Sequence, residues 1–575
     1  MADVYAVKSG NWSDTTLWNT GSLPAAIDNV YSNNFTVYVD ISPQVNLVTN
    51  IASTGITAGG GFILNDNISL SALVAGGGVA NIAAVQFLSA SPFSSTIVGN
   101  ISSNGIGVTN SVALLHNGTG TLTVLGSAVG GVNNAGSVSN GYIRVNSSGT
   151  FNIIGDVLGA GTGAGFYGIN NASTGTVNIT GNVTGNIGTA NTNYGVVNSS
   201  TGTVNIRGNV VSGLTGTVAP GAINNSTGSL NIFGNVVSRG STGAVNSSTG
   251  TLSITGNVNG SQTGTNQVGI SNNGTCIVYG NVAGGPEVAG GAGGNAYGIN
   301  NAAATSVLTV YGNVSGAGFV TATGVGIFNN TGIVNVVGNV HGRAAPGAQN
   351  NTGTVNLTGN CIGGPVAGVY GFNNLATGTA IISGSAIGGL GSGAHGAFNG
   401  STGVLRVQRA VGNDWGLGYT TALGPAAGVA SGVAGSQTFV QELQMGPRGQ
   451  WPTAGNIYFT PNPKATSQFE TDTFQNYSLI QSISADNLLP PVSSVRQGTV
   501  YDLGTDTGTC IIPPASSVAL NIPVDNTTGI ATLTPTNVWN ISSQEITDNQ
   551  SIGGRLKNTL TANAAERLVN SFNLN

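Results

Sequence analysis

Between Gly126 and Gly384 the chain returns eleven times to one phrase, clearest as GTVNITGNV (175–183), GTVNIRGNV (202–210), GTLSITGNV (250–258) and GTVNLTGNC (353–361). Its closing glycine falls at 126, 155, 181, 208, 234, 256, 280, 312, 338, 359 and 384, a mean step of about 26 residues. A fixed period of this size predicts a solenoid, in which each turn buries its apolar face only against its neighbours. Such a chain of 575 residues escapes the size limit of a single compact core. The steps vary, so one segment of every turn is a loop of adjustable length.

Inside the phrase, apolar and polar residues alternate. Val177 and Ile179 precede the glycine and Val183 follows it, the period-two pattern of strands with one face buried. A third short segment ends in asparagine, as in YGINN (167–171), AINNSTG (222–228) and IFNN (327–330). Three short strands per turn predict an all-β, right-handed parallel β-helix; the hand follows from the general bias of parallel crossovers. The asparagines at 170, 198, 224, 246, 300, 329, 350 and 373 are expected to stack as a ladder, because identical amides about 4.8 Å apart can donate and accept along the axis. Glycine at the corners is expected to supply positive φ.

Composition narrows the function. Charged residues make up 5% of the chain, 94 residues are glycine, and the 13 Lys and Arg are outnumbered by 18 acids for a net charge of −5. No basic stripe exists to neutralise a phosphate backbone, so nucleic acid is not an expected partner. No uninterrupted apolar run of about 20 residues occurs, so no membrane insertion is expected. Cys276, Cys361 and Cys510 are far apart and match no metal or disulfide pattern; the first two sit inside repeats as small buried side chains. His116, His341 and His395 fall one each in separate turns, and neither a metal nor another cofactor is expected.

Five segments follow from the pattern. Residues 1–45 read as an N-terminal cap around Trp12 and Trp18, and 46–415 as the parallel β-helix. Residues 416–485 read as a β-rich connecting module, 486–540 as a small β module, and 541–575 as an amphipathic helix with Ile552, Leu556, Leu560, Ala564, Leu568 and Phe572 on one stripe. Long steps extrude loops at 126–142 and 281–298, expected either to carry recognition or to lie flat, covering a strand edge or packing on sister chains. Tyr167, Tyr194, Tyr297 and Tyr370 stand in equivalent segments before the asparagines; an aromatic flank there is expected either to stack on sugar rings or to pack on the next turn.

Catalysis on a sugar chain is testable by counting carboxylates. Glycoside hydrolysis needs two, about 5–9.5 Å apart. Between Asp66 and Asp414 the acids are Asp156 and Glu287, and five turns separate them, roughly 24 Å at about 4.8 Å per turn. A single chain is therefore not expected to be an enzyme on its solenoid, which leaves acids from neighbouring subunits or from the ends of the chain.

Both ends carry resemblances. GNWSDTTLWNTGSLPAAIDNVY (10–31) with FTVYVD (35–40) resembles the opening segment of large β-helical surface and phage structural proteins. LLPPVSSVRQGTVYD (488–502), GTCIIPPASSVALNIPVDNTTGIATLTPTNVWN (508–540) and SIGGRLKN (551–558) resemble a C-terminal module common in tailed-phage and prophage virion proteins. The resemblance implies a virion component, a tail fibre or tail spike, commonly trimeric, and it assigns no catalytic residue. Its expected partners are two sister chains in a homotrimer, other virion proteins and a host surface glycan. The N-terminus MADVYAVKSGNWSD lacks the basic start and apolar core of a secretory signal, so assembly into the virion in the host cytoplasm is expected. The alternatives are a capsid-decorating fibre, a bacterial surface adhesin and a polysaccharide depolymerase with an intersubunit site.

Overall fold

A computed structural model describes residues 2–412, apart from 77–81, 89–92, 104–111, 130–142, 146–147, 160–166, 186–192, 214–218, 262–266, 286–295, 318–323, 367, 390–393 and 401, together with a few backbone strands farther on. The chain divides into two units, Met1–Gln481 and Ser482–Asn575. The first is a parallel β-solenoid.

One turn shows the construction. Ile169–Asn171 forms the first strand, Thr176–Thr180 the second and Val183–Thr184 the third. Alternation sends Ile169, Asn171, Val177, Ile179 and Val183 inward and leaves Thr176, Asn178, Thr180 and Thr184 toward the outside. Each strand then pairs in parallel with its counterpart one turn on: Ile169 with Val196, Val177 with Val204, Val183 with Val210. The core is a set of like-on-like columns, such as Val204, Leu230, Leu252, Cys276 and Leu308. Each buried aliphatic side chain contributes roughly 1.5–3 kcal/mol, and it does so once per turn.

Cys276 and Cys361 replace aliphatic members of such columns, and both are free and fully covered. Burial pushes both thiols up from their ordinary range. Cys361 Sγ donates to the Gly371 carbonyl at 3.1 Å. Neither thiol is placed for reaction.

The repeat glycines answer to stacking more than to backbone twist. A Cβ on Gly280 would lie 2.5 Å from both the carbonyl carbon and oxygen of Gly256, and 2.8 Å from the Asn257 nitrogen. The same collision with the glycine one turn below recurs at Gly208, Gly312 and Gly384. Close approach of backbone to backbone is therefore shared by these repeat glycines, while the expected positive φ is found at Gly155, Gly181 and Gly338.

The solenoid also begins earlier than the sequence pattern suggests. Asp3–Tyr5 pairs in parallel with Asn29–Tyr31, which pairs with Leu47–Thr49, so residues 1–45 already form turns. These turns lack the repeated phrase yet keep its alternation, with Val4, Val30, Val37 and Val39 inward. Trp12 and Trp18 are buried in the first turn with ring centroids 4.9 Å apart, and Trp18 Nε1–H donates to the Trp12 carbonyl at 3.0 Å. They fill the core of the first turn, and Trp12 also packs on Phe62 at 5.8 Å. A short 3-10 helix, Thr15–Leu17, is capped by Asp14, whose carboxyl is held down at about 2 by the Lys8 ammonium and by Thr16.

The far boundary moves as well. Val404–Val411 pairs in parallel with Gln437–Gln444, and Gln437–Val440 with Asn456–Phe459. Strand stacking thus runs past the expected limit at 415. In the second unit, Val500–Tyr501 pairs antiparallel with Asp506–Thr507, and Pro523–Val524 with Thr527–Thr528. The expected helix over 541–575 and the loop tips at 130–142 and 286–295 lie outside the described residues.

Candidate functional site

Three asparagine ladders lock the turns. The buried one runs through Asn171, Asn198, Asn224, Asn246, Asn272, Asn301, Asn329, Asn350, Asn374 and Asn399, each Nδ2 donating to the next Oδ1 at 2.9–3.2 Å. Most of these amides also close their own corner, as Asn224 Nδ2 does on the Gly228 carbonyl at 2.9 Å. Of the expected ladder, Asn198, Asn224, Asn246, Asn329 and Asn350 are members. Asn170, Asn300 and Asn373 are not: the alternation that buries Ile169 also buries Asn171, so the second asparagine of each pair turns inward. Asn170 Oδ1 accepts from Ser199 Oγ at 3.1 Å on the outside. Asn272 and Asn399 were missed because their segments, ISN and AFN, match the phrase only loosely.

The second ladder follows the repeat glycine. Oδ1 of Asn182 accepts from the Asn209 N–H at 3.0 Å, that of Asn209 from Asn235 at 2.9 Å, and so on through Asn257, Asn281, Asn313, Asn339 and Asn360. The third lies mid-strand, where Asn205 Nδ2 donates to Asn178 at 2.8 Å and Asn231 to Asn205 at 2.8 Å. Both were legible in G-N-V and V-N-I, where the asparagine recurs at a fixed place in the phrase.

The expected aromatic flank is one column. The Gly168 N–H donates to the Tyr194 carbonyl, Gly269 to Tyr297, Gly347 to Tyr370 and Gly371 to His395, which puts all these residues at the same corner. Tyr167 and Tyr194 stack at 5.2 Å and 10°. Tyr297 stacks on Phe328 at 5.0 Å, and Tyr370 on Phe398 at 4.9 Å and on His395 at 5.6 Å. Burial raises the phenol pKa of Tyr167, Tyr194 and Tyr297. Each of these tyrosines has a ring face against an aromatic neighbour on the next turn, the contact that packing between turns gives.

A more open aromatic strip was not anticipated. It sits at the outward residue just before the repeat glycine, the variable slot of the phrase. Tyr279 and Tyr311 stack there at 5.3 Å and remain 55% and 49% exposed, and Arg207 lies over the Phe233 ring at 5.0 Å. The period-two alternation places this slot outside, which was the available signal.

Carboxylates are committed elsewhere. Asp156 Oδ1 accepts from the backbone and side chain of Asn182 at 2.7 and 3.3 Å, as a member of the second ladder. Asp28 accepts from the Ala2 and Ala25 N–H groups at 3.0 and 2.9 Å, which lowers its pKa. Asp40 accepts from the backbone of Ser13 at 2.9 Å and from its hydroxyl. Glu287 lies outside the described residues.

His116 occupies the buried asparagine column, below Val145 and Asn171, stacked on Phe87 at 5.2 Å and on Phe151 at 5.9 Å. Burial pushes its pKa down to about 4 against the opposing pull of a hydrogen bond to the Gly120 backbone. The unfolded chain, with an ordinary imidazole, therefore binds the proton first as pH falls. Stability from this site is complete above about pH 6.5 and is lost through the window down to about 4. Between pH 7 and pH 5, where exposed carboxylates stay ionised, urea unfolding should show a loss of about 2 kcal/mol. His116→Phe, matching its aromatic neighbours, should flatten that profile; an unchanged slope would contradict the assignment.

Among the described residues no three His, Cys, Asp or Glu side chains gather into a metal-binding group, and no helix is long and apolar enough to cross a membrane. No family model, curated protein or solved structure matches the chain.

Proposed function

We propose that the chain is a non-enzymatic structural and receptor-binding component of a phage virion, a tail fibre or spike-like appendage that holds a rigid β-solenoid against the host surface. The observation that carries this reading is the half-exposed Tyr279–Tyr311 strip, held at fixed spacing on a scaffold whose turns are locked by asparagine ladders. Aromatic surface on a rigid support suits recognition, since little conformational freedom is lost on binding. The virion assignment rests on the resemblance of residues 488–558, and the same resemblance favours a homotrimer. The commitment of Asp156 to its ladder supports a non-enzymatic role.

The test is incubation of the purified full chain with host cells, reading bound protein and released sugar together. Saturable binding without sugar release is the expected result. Release of oligosaccharide would overturn the non-enzymatic half, and the absence of saturable binding would overturn the receptor-binding half.

A further inference from the structure

The third strand of each turn carries an outward residue that stacks in register: Ser315 beside His341, His341 beside Ile362, Ile362 beside Ile387. A cleft of about 580 Å³ runs along this column and is also lined by Arg343 and Pro365. Four consecutive turns contribute to it, so its floor extends roughly 14 Å along the axis at about 4.8 Å per turn. The floor is low because glycines follow the column. A Cβ on Gly363, for instance, would meet the Tyr370 carbonyl oxygen at 2.6 Å. The backbone is therefore held bare by the packing behind it, and the depression cannot fill with side chains. Its volume lies in the range of small-ligand sites, about 300–1,000 Å³.

The chemistry of the lining is lopsided. Arg343 is exposed, and no described acid is paired with its guanidinium. The chain as a whole is acidic, at −5, which makes a local cation beside a cleft conspicuous. His341 stands next to it with its pKa lowered by burial and by Arg343, which favours the neutral imidazole as a hydrogen-bonding partner. Farther along the same column Ile362 and Ile387, with Pro365, supply apolar surface. A planar guanidinium takes a carboxylate by two parallel hydrogen bonds. An apolar wall beside hydroxyl and imidazole groups suits a ring with one C–H face and a hydroxylated edge.

We propose that this cleft binds an acidic saccharide, with Arg343 taking the sugar carboxylate, Ser315 and His341 its hydroxyls, and Ile362, Ile387 and Pro365 its apolar face. The inference deepens the host-glycan reading above and rests on it. Calorimetric titration of the full chain with a short oligosaccharide of glucuronic acid should show saturable binding that weakens at least about tenfold in Arg343→Gln and with the carboxyl-reduced, neutral oligosaccharide. Arg343 is exposed, so the variant should keep the wild-type circular dichroism spectrum. Equal affinity of wild type and Arg343→Gln, equal affinity for acidic and neutral sugar, tighter binding of a glutamate peptide of equal charge, or no binding at all would each overturn the proposal. Host-cell binding separates the two readings. If Arg343→Gln saturates cells as the wild type does, the cleft assignment fails alone; if the wild type binds no cells, the receptor reading fails with it.

Discussion

Replacing Asn246 by alanine should lower stability by about 3–5 kcal/mol, a large loss for one side chain. Its amide nitrogen donates to the Gly250 carbonyl at 2.9 Å, to Asn272 Oδ1 at 3.1 Å and to the Thr275 carbonyl at 3.1 Å, while its oxygen accepts from Asn224 Nδ2 at 3.2 Å. The side chain is fully buried, so water cannot take over these partners. Truncation strands polar groups on both adjoining turns, each costing roughly 1–3 kcal/mol. The matched control is Asn235→Ala in the outer ladder. Asn235 also bonds along the axis, accepting from the Asn257 N–H at 2.8 Å, but it is not buried and solvent can replace it. Its loss should stay within about 1 kcal/mol. Urea titration of both variants checks the pair, and equal losses would contradict the difference argued between inner and outer ladders.

Gly280→Ala should be worse than an ordinary glycine substitution. The added methyl would sit 2.5 Å from two backbone atoms of Gly256, and backbone cannot rotate away as a side chain can. The turns must separate locally, breaking the register between Tyr279 and the turn below, where the Tyr279 N–H donates to the Ile254 carbonyl at 2.9 Å. We expect a loss of about 3 kcal/mol or more. Gly21→Ala separates this from the cost of backbone conformation: Gly21 has φ +68 and nothing within 4 Å of its would-be Cβ. It should lose about 1–2 kcal/mol. If the two substitutions cost the same, close approach is not what the repeat glycine serves.

The fold was legible because a solenoid writes its geometry into the period. Val177, Ile179 and Val183 recur about every 26 residues, and the registers Val177 with Val204 and Val183 with Val210 follow directly. The early turns were less legible. Val4, Val30 and Val37 keep the inward alternation, but no repeated phrase marks it, and the first turn is filled by Trp12 and Trp18, which the phrase does not contain. The ladder was displaced by one residue at Asn170, Asn300 and Asn373 because composition alone does not say which of two adjacent asparagines faces in. The parity of Ile169, Ile299 and Phe372 does. The cleft beside Arg343 was hidden for a different reason. It is assembled from single residues on four turns, Ser315, His341, Ile362 and Ile387, whose identities share no motif and whose proximity exists only in register. Tyr279 and Tyr311 lie 32 residues apart in sequence and 5.3 Å apart in space for the same reason.

The most direct test of the account is immunogold labelling, with an antibody raised to residues 416–575, of lysate particles and host cells in the electron microscope. The account predicts gold on the particles, with its position at tail or capsid distinguishing a receptor-binding appendage from a decorating fibre. Gold confined to cell surfaces, with bare particles, would contradict it and make the chain a surface adhesin of the host.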